Sequence, residues 1–408
     1  MAPQDAQTPV INTYLPKSLT THLPKTRDDD SWGDAVRSHY SAEENNDKLP
    51  LNIQVLEAER EKRKQNYAQI AHDYYELATL NLELAWNPKF HFAPFLDDKQ
   101  SLREALSAHD HYQFMIMGVK PGMRGLDAGC GVGEPAREYA RWADVHITGV
   151  TITEYQVYRA NLHAEKEGVS DKVEFVWADF CKMPFPDNTF DFVYSQEATV
   201  HAPELRDVYV EMCRVLKPGG VMSVGEWCMT DKFDPKNPEH LDVRRRIERG
   251  DGIANMKTVK EAISEFEFVG LDVLHMEDHA LKGLQSRPWW APLDGDVSKA
   301  SNWSDRMLVF CLKPAVWRAW KAWVWFKIKV GLYSKIDGDS TLEALNTQAQ
   351  AVWGLRDGGK YGSFTPMFQM YGRKPENWVH PQPEKAREAA ESVAASAKEI
   401  AASKVKST

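Results

Sequence analysis

The chain has little of what would place it across a membrane, in a disulfide framework or on nucleic acid. No apolar run in its 408 residues reaches the roughly 18–20 needed to span a bilayer. Its five cysteines (Cys130, Cys181, Cys213, Cys228, Cys311) are widely scattered and form no Cys-x-x-Cys pair. That excludes the usual zinc and disulfide spacings and fits reduced thiols in a cytosolic setting. Basic residues are in deficit: 50 Lys and Arg face 59 Asp and Glu, for a net charge of −9, which argues against general nucleic-acid binding. The N-terminus has no basic stretch followed by an apolar one, so no secretory signal is expected. Apolar residues are plentiful, at 43%. That supports a real core, arranged as two or three domains or as one elaborated α/β enzyme.

The most informative stretch runs from Leu126 to Arg137, LDAGCGVGEPAR. A short apolar run containing Asp127 leads into three alternating glycines, Gly129, Gly131 and Gly133, and then a helix-like segment from Pro135 through Trp142. This reads as strand, tight turn and helix start. Glycine lets such a turn take unusual dihedrals and lets a ligand lie against bare backbone, beside the unpaired N–H groups of the helix. Gly-x-Gly-x-Gly departs from the Gly-x-Gly-x-x-Gly of dinucleotide enzymes, so the following segments decide. Val145–Thr151 is a second strand by its β-branched content. At its end Thr151, Thr153 and Gln156, with Glu154 as an alternate, are candidates for a ribose. Thr153 and Gln156 equally suit the N-cap and N3 positions of a helix. A third strand, Val173–Ala178, ends in Asp179 and Phe180, an acid and a ring suited to an adenine. A fourth strand follows from Phe190, then Leu216–Gly220 closes a helix with a glycine turn, and a fifth strand starts at Val221.

This order, carried by LDAGCGVG, ADF, FDFVYS and RVLKPGG, resembles the class I S-adenosyl-L-methionine-dependent methyltransferases. Further segments are similar to sterol 24-C-methyltransferases: FHFAPF (Phe90–Phe95), Ala108–Met123, Gly129–Glu138, Glu197–Gly220, Glu226–His240, Ile247–Asp251, RPWWAPLDGD (Arg287–Asp296) and GGKYGSFTPMF (Gly358–Phe368). The resemblance covers about residues 65–375. It implies an α/β, Rossmann-like class I methyltransferase fold with a helical N-terminal segment and a C-terminal region of the sterol-methyltransferase type. It implies S-adenosyl-L-methionine as cofactor, no metal, and methylation of a side-chain alkene in a sterol or triterpenoid. There are departures. The family's N-terminal segment typically reads YYDLATDFYEWGWGxSFHF. Here an acid becomes Leu80, an aromatic pair becomes Asn81 and Leu82, the next aromatic becomes Leu84, and two glycines become Ala85 and Asn87. Aromatic faces stabilise a cation through their quadrupole and leucine does not. Methylation of another lipophilic metabolite therefore stays open, as does a non-catalytic lipid- or cofactor-binding protein.

Alkene methylation generates a tertiary carbocation, followed in the family by a hydride shift and proton loss. Such a site needs a negative or π-rich surface and a positioned base. Ligands in this fold bind beyond the carboxyl ends of the strands. That points to Glu197 for cation stabilisation or hydroxyl binding and to His201 for the base or for orientation. Glu226, Trp227 and Asp231, after the fifth strand, are second-tier candidates. Tyr75, Glu83 and His91 come from the altered N-terminal segment and are expected to close over the pocket. His109 and His111 sit two apart on a predicted helix, so they diverge and are read as packing or hydrogen-bonding residues.

The expected organisation is a disordered segment at 1–50, a helical substrate cap at 51–119, the cofactor-binding core at 120–275, a C-terminal region at 276–375 and a low-complexity tail at 376–408. Within the cap, the charged EAEREKRKQ stretch is expected to be a solvated face, and Tyr67, Ile70, Tyr74 and Leu77 an apolar stripe. A helix and strand at Glu261–Leu274 are expected to extend the sheet. Residues 315–330 mix tryptophans with cations over a helical length, which suits either a membrane interface or a pocket wall. The partners expected are a lipophilic small molecule, no nucleic acid, and peripheral contact with a membrane or lipid droplet through 315–330. A cytoplasmic location, peripheral at the endoplasmic reticulum or lipid droplets, goes with this. An oligomer is left open.

Overall fold

Short β-branched runs alternating with helices assemble into one seven-stranded sheet. A computed structural model describes residues 38–40, 53–280, 285–332 and 334–381. The strands are β1 (Arg124–Ala128), β2 (His146–Thr151), β3 (Val173–Trp177), β4 (Phe190–Gln196), β5 (Leu216–Met229), β6 (Asp272–Asp278) and β7 (Phe364–Arg373). Their order is β3-β2-β1-β4-β5-β7-β6. β1 to β5 are parallel, and β7 lies antiparallel between β5 and β6. The expected tail beyond residue 381 and most of the N-terminal segment lie outside the described residues.

The helices in chain order are α1 (Ile53–Lys64), α2 (Tyr67–Ala85), α3 (Leu102–Ile116), α4 (Glu134–Ala143), α5 (Glu154–Glu167), α6 (Leu205–Val215), α7 (Pro238–Gly250), α8 (Val259–Phe268), α9 (Trp303–Cys311), α10 (Pro314–Lys329) and α11 (Lys335–Tyr361). Their starts follow local chemistry. Ser101 with Glu104 and Thr258 with Glu261 form reciprocal capping boxes at α3 and α8. Thr153 caps α5, and Pro135 occupies the first turn of α4, where its missing N–H costs nothing. The sheet's two faces are packed by separate apolar clusters, one around Val193, Tyr209 and Met222, the other around Tyr139, Phe192 and Tyr194. A third cluster, with Trp227, Trp289 and Phe364, joins β5 and β7 to the C-terminal region.

Three expectations are corrected. The glycine turn at Leu216–Gly220 lies within β5, which pairs from Leu216 onward with a register break between Phe190 and Phe192. β5 also runs on to Met229, three residues past Glu226. Finally, the charged stretch of α1 is not all solvated: Arg60 and Arg63 are buried. Arg60 Nε donates to Glu248 of α7 at 2.8 Å, Arg63 Nη2 donates to the same carboxylate at 3.3 Å, and Arg244 Nε adds a contact at 2.9 Å. Burial alone would raise the Glu248 carboxyl, but Arg60, Arg244 and Arg63 hold it below its ordinary value. Within the segment expected to be disordered, Tyr40 is buried and donates to the Glu248 carbonyl at 2.8 Å.

This cluster pins α1 to α7. Glu248→Ala removes the buried carboxylate that three guanidinium groups share, so unfolding in urea should show a loss of about 3–5 kcal/mol. A loss below about 1 kcal/mol would mean that the arginines find water instead.

Candidate active site

The strand order reverses between β1 and β4, so their carboxyl ends diverge and leave a crevice. A cavity of about 780 Å³, counted with its open mouth, lies there. Gly129 and Gly131 after β1 form one wall, Thr151 and Gln156 at the end of β2 the next, and Asp179 and Phe180 after β3 a third. Glu197 and His201 come from the loop after β4. Tyr67 and Tyr75 of α2, with Lys89 and Phe90 beyond it, close the top.

The glycine turn is shaped for close approach. Gly129 has φ +91°, and a Cβ there would meet Ala198 at 2.3 Å. Gly131 has φ +53°, and its Cβ would press on the Phe90 ring at 3.2 Å. Asp127 at the end of β1 is buried and accepts from Tyr194 Oη at 3.0 Å; burial pushes its carboxyl up to about 7. Thr151 Oγ1 donates to Gln156 Oε1, and Gln156 Nε2 donates to Thr79 Oγ1 of α2 at 3.1 Å, which ties β2 to the cap. Tyr67 Oη donates to Asp179 Oδ2, while the Cys181 N–H donates to Oδ1 at 2.8 Å.

Glu197 is the strained centre. Its φ is +57°, and Phe90 facing the same cavity has φ +59°. The other described non-glycine residues with positive φ are Asp144 and Asn188, types that tolerate it. A Glu and a Phe in this region cost of order 1–3 kcal/mol each, so the surroundings must hold them there. The Glu197 carboxylate accepts from the Phe92 N–H at 2.8 Å and from Trp227 Nε1–H at 2.6 Å. Burial pushes the carboxyl up to about 8, against the opposing effects of His91, Trp227 and Phe92. Nearby, Tyr75 Oη and His201 Nε2 are 2.9 Å apart, and His201 Nδ1 is 3.2 Å from the Gly252 carbonyl. That carbonyl fixes the proton on Nδ1, which leaves Nε2 to accept from Tyr75. Burial lowers His201 to about 4, so it is neutral at physiological pH.

Other expected residues sit elsewhere. Gly133 packs on the Phe175 ring, and Thr153 accepts from the Gln156 N–H as the cap of α5. Neither lines the cavity. Glu226 is 0% exposed and accepts from Thr199 and from Tyr209 Oη, the latter at 2.7 Å; burial pushes it up to about 7. It lies inside β5 rather than beyond its end. His91 is buried behind the cavity, with Nε2 3.0 Å from Asp110. Burial lowers its pKa, but Asp110 outweighs this and the net shift is upward. Asp231 pairs with Lys260 on the surface, and Glu154 is exposed. Glu83 bonds Arg159 and His163 of α5 instead of facing the pocket. His109 is buried, and His111 stacks on Trp142, in keeping with packing roles.

Residues 126–224 match the family model described as a methyltransferase domain, and residues 322–376 match that of the sterol methyltransferase C-terminal region. The sterol 24-C-methyltransferase ERG6B of Gibberella zeae is 45% identical over 323 residues, 79% of this chain and 83% of that protein. The chain belongs to the sterol 24-C-methyltransferase family. The Aspergillus fumigatus relative is 42% identical over 78% of this chain and 83% of its own. The cycloartenol-C-24-methyltransferase of Arabidopsis thaliana is 38% identical over 78% and 90%. Among solved structures, the cyclopropane synthase MmaA2 of Mycobacterium tuberculosis superposes with a TM-score of 0.56 at 15% identity, covering 75% of this chain and 98% of that one. The [4+2]-cyclase SpnF superposes with a TM-score of 0.54 at 21% identity, over 76% and 96%. These two establish the fold.

Phe90 and Gln196 also line the cavity, and sequence reasoning missed Tyr67 and Lys89 there. Tyr67 was read only as part of an apolar stripe. Lys89 stands where the family's segment has serine. Its ammonium bonds Asp110 and, at 2.5 Å, Glu138. Burial opposes its charge, but those two carboxylates outweigh burial and raise its pKa.

The Trp227 N–H favours the charged form of Glu197. Trp227→Phe keeps a ring and removes that donor, so the limb of the rate–pH profile governed by Glu197 should move up by about one pH unit. An unmoved limb in a folded variant would show that Glu197 does not govern it.

Proposed function

We propose that the protein transfers a methyl group from S-adenosyl-L-methionine to carbon in the side-chain alkene of a sterol or related triterpenoid. The observation that carries this reading is a buried carboxylate, Glu197, held beside the glycine turn in a cavity that the rings of Tyr67, Tyr75, Phe90 and Phe180 also line. The residues fit the cofactor: the Gly129–Gly131 backbone lies bare where a Cβ would collide, and Thr151, Asp179 and Phe180 stand at successive strand ends. Asp127 and Gln196 suit the cofactor's ammonium. Lys89, with two of its three donors engaged, suits its carboxylate with the third. When bound, the cofactor supplies a methyl group already activated on sulfonium.

The protein's task is then to orient the alkene, exclude water and stabilise positive charge on the substrate. Glu197 supplies negative charge in a site of low dielectric. Tyr75, Phe90 and Phe180 supply ring faces that offset the aromatics missing around Leu80–Leu84. Proton loss goes to the Tyr75 oxygen while the Tyr75 proton passes to His201 Nε2, and the Gly252 carbonyl holds the ring in place. A base as weak as His201 suffices because a C–H beside a carbocation is strongly acidic. Residues 51–119 act as the substrate cap, 120–275 as the cofactor-binding core and 276–375 as the region completing the lipid site. A cytoplasmic enzyme working at the surface of the endoplasmic reticulum or lipid droplets fits a lipophilic substrate, and no described helix is long and apolar enough to cross a membrane.

The test offers the purified protein methyl-labelled cofactor with a side-chain-unsaturated sterol or with its saturated counterpart. Label should enter only the unsaturated sterol. Glu197→Gln should lower kcat by roughly 10²–10³ while cofactor affinity stays unchanged. Label in neither sterol, or undiminished turnover in Glu197→Gln, would overturn the reading.

A further inference from the structure

The helix α10 packs against the body through few of its residues. Val324 is its buried residue, Trp317 packs on the C-terminal apolar cluster, and Lys321 bonds Asn346 of α11. At 100° per residue these three fall on one side of the helix. The opposite side carries Ala315, Ala319, Ala322, Trp323, Phe326 and Val330, all exposed. Trp323 and Phe326 are 53% and 46% exposed and stack on each other with ring centroids 5.6 Å apart. Trp320 and Trp325 flank this strip, 58% and 56% exposed. Rings of this size rarely stand in water together on a surface helix.

The charges are as uneven as the rings. From Arg306 to Ile336 the chain holds seven Lys and Arg and no acid, while the rest of it has 43 cations against 59 acids. The cations border the apolar strip on both sides: Arg318 and Lys329 on one, Lys327 on the other. Lys327 and Lys329 lie over the Trp323 and Trp325 rings, with Nζ 5.7 Å and 5.4 Å from the centroids. Their stems run along apolar surface and their heads end at its edge, as interfacial lysines do. On α9, Trp303, Met307 and Phe310 form a second exposed stripe at helical spacing, with Trp303 75% exposed. A pocket wall would bury these rings, and a partner helix would call for acids among the cations.

We infer that α10, aided by α9, seats the protein on a bilayer surface bearing anionic headgroups, with Trp323 and Phe326 entering the apolar boundary and Arg318, Lys327 and Lys329 meeting lipid phosphates and carboxylates. This gives the peripheral location proposed above its contact surface and lipid chemistry. The purpose of the seating rests on the lipophilic-substrate reading; the surface stands on exposure and charge alone. Among the described residues, this element is the one that would hold an otherwise acidic protein at such a surface, with the substrate delivered from the lipid phase.

The test floats the full chain with vesicles of phosphatidylcholine alone or of phosphatidylcholine with phosphatidylserine, and reads bound protein without any turnover. The wild type should bind the anionic vesicles at least roughly tenfold more tightly, a preference that salt weakens. Trp323→Ser with Phe326→Ser should abolish binding to both. Lys327→Glu with Lys329→Glu should remove the preference for anionic lipid. Both variants should keep their circular dichroism and their methylation of detergent-dispersed sterol, since neither touches the cavity. Failure of the wild type to bind, or equal binding by wild type and variants, would overturn the inference. So would a wild-type dimer in light scattering that the Trp323/Phe326 variant dissociates, because a second copy would then cover the strip.

Discussion

Three distant parts of the chain meet at the carboxylate of Glu197. The side chain comes from the turn after β4, one donor is the Phe92 N–H of the N-terminal cap, and the other is the Trp227 indole of β5. The left-handed backbone at Glu197 is stable only because those donors and the Gly225 carbonyl, which accepts from the Glu197 N–H at 2.8 Å, hold it. The clasp therefore does two things. It holds the segment after α2 over the glycine turn, and it keeps buried a carboxyl group that solvent would otherwise ionise. Phe90, two residues from the Phe92 donor, also has a positive φ, and its ring would lie 3.2 Å from a Cβ on Gly131, so the position of this segment and the shape of the glycine turn are one arrangement.

Burial sets the acid–base balance around this clasp. Asp127 and Glu226 are pushed up to about 7, and Glu197 and Asp251 to about 8. A raised acid favours folding most in its protonated form, so the stability these four contribute is full below about pH 4 and is lost as pH rises through 7 and 8. His201 has the opposite sign. Its pKa is lowered to about 4, so its contribution is present above the ordinary histidine value and is lost as pH falls through 4. The site is most stable on the acid side of neutrality, whereas Glu197 gains charge only toward its own pKa. The fold alone does not choose this chemistry, since a cyclase and a cyclopropane synthase share it.

Much of this was legible in the sequence. Parallel strands with buried faces carry short, local signals, so β1 to β4, the glycine turn and the acid after β4 could be placed from spacing. The helix and strand after residue 258 were likewise read as a sheet extension. Glu226 was not legible, because the end of β5 is set by pairing with β7, which returns from more than a hundred residues away. Arg60 and Arg63 read as solvated because their partner Glu248 is 188 and 185 residues distant. Lys89 and Tyr67 were invisible for the same reason: a lysine beside a proline says nothing of Asp110 and Glu138 until the cap has folded.

The central claim is that Glu197 meets positive charge on the substrate. The direct measurement is the affinity, by calorimetry, of a sterol bearing a quaternary ammonium in its side chain, followed from about pH 6 to about pH 9. The account predicts affinity that climbs as Glu197 ionises near pH 8 and a flat, weak profile in Glu197→Gln. Equal affinity in both proteins across that range would contradict it.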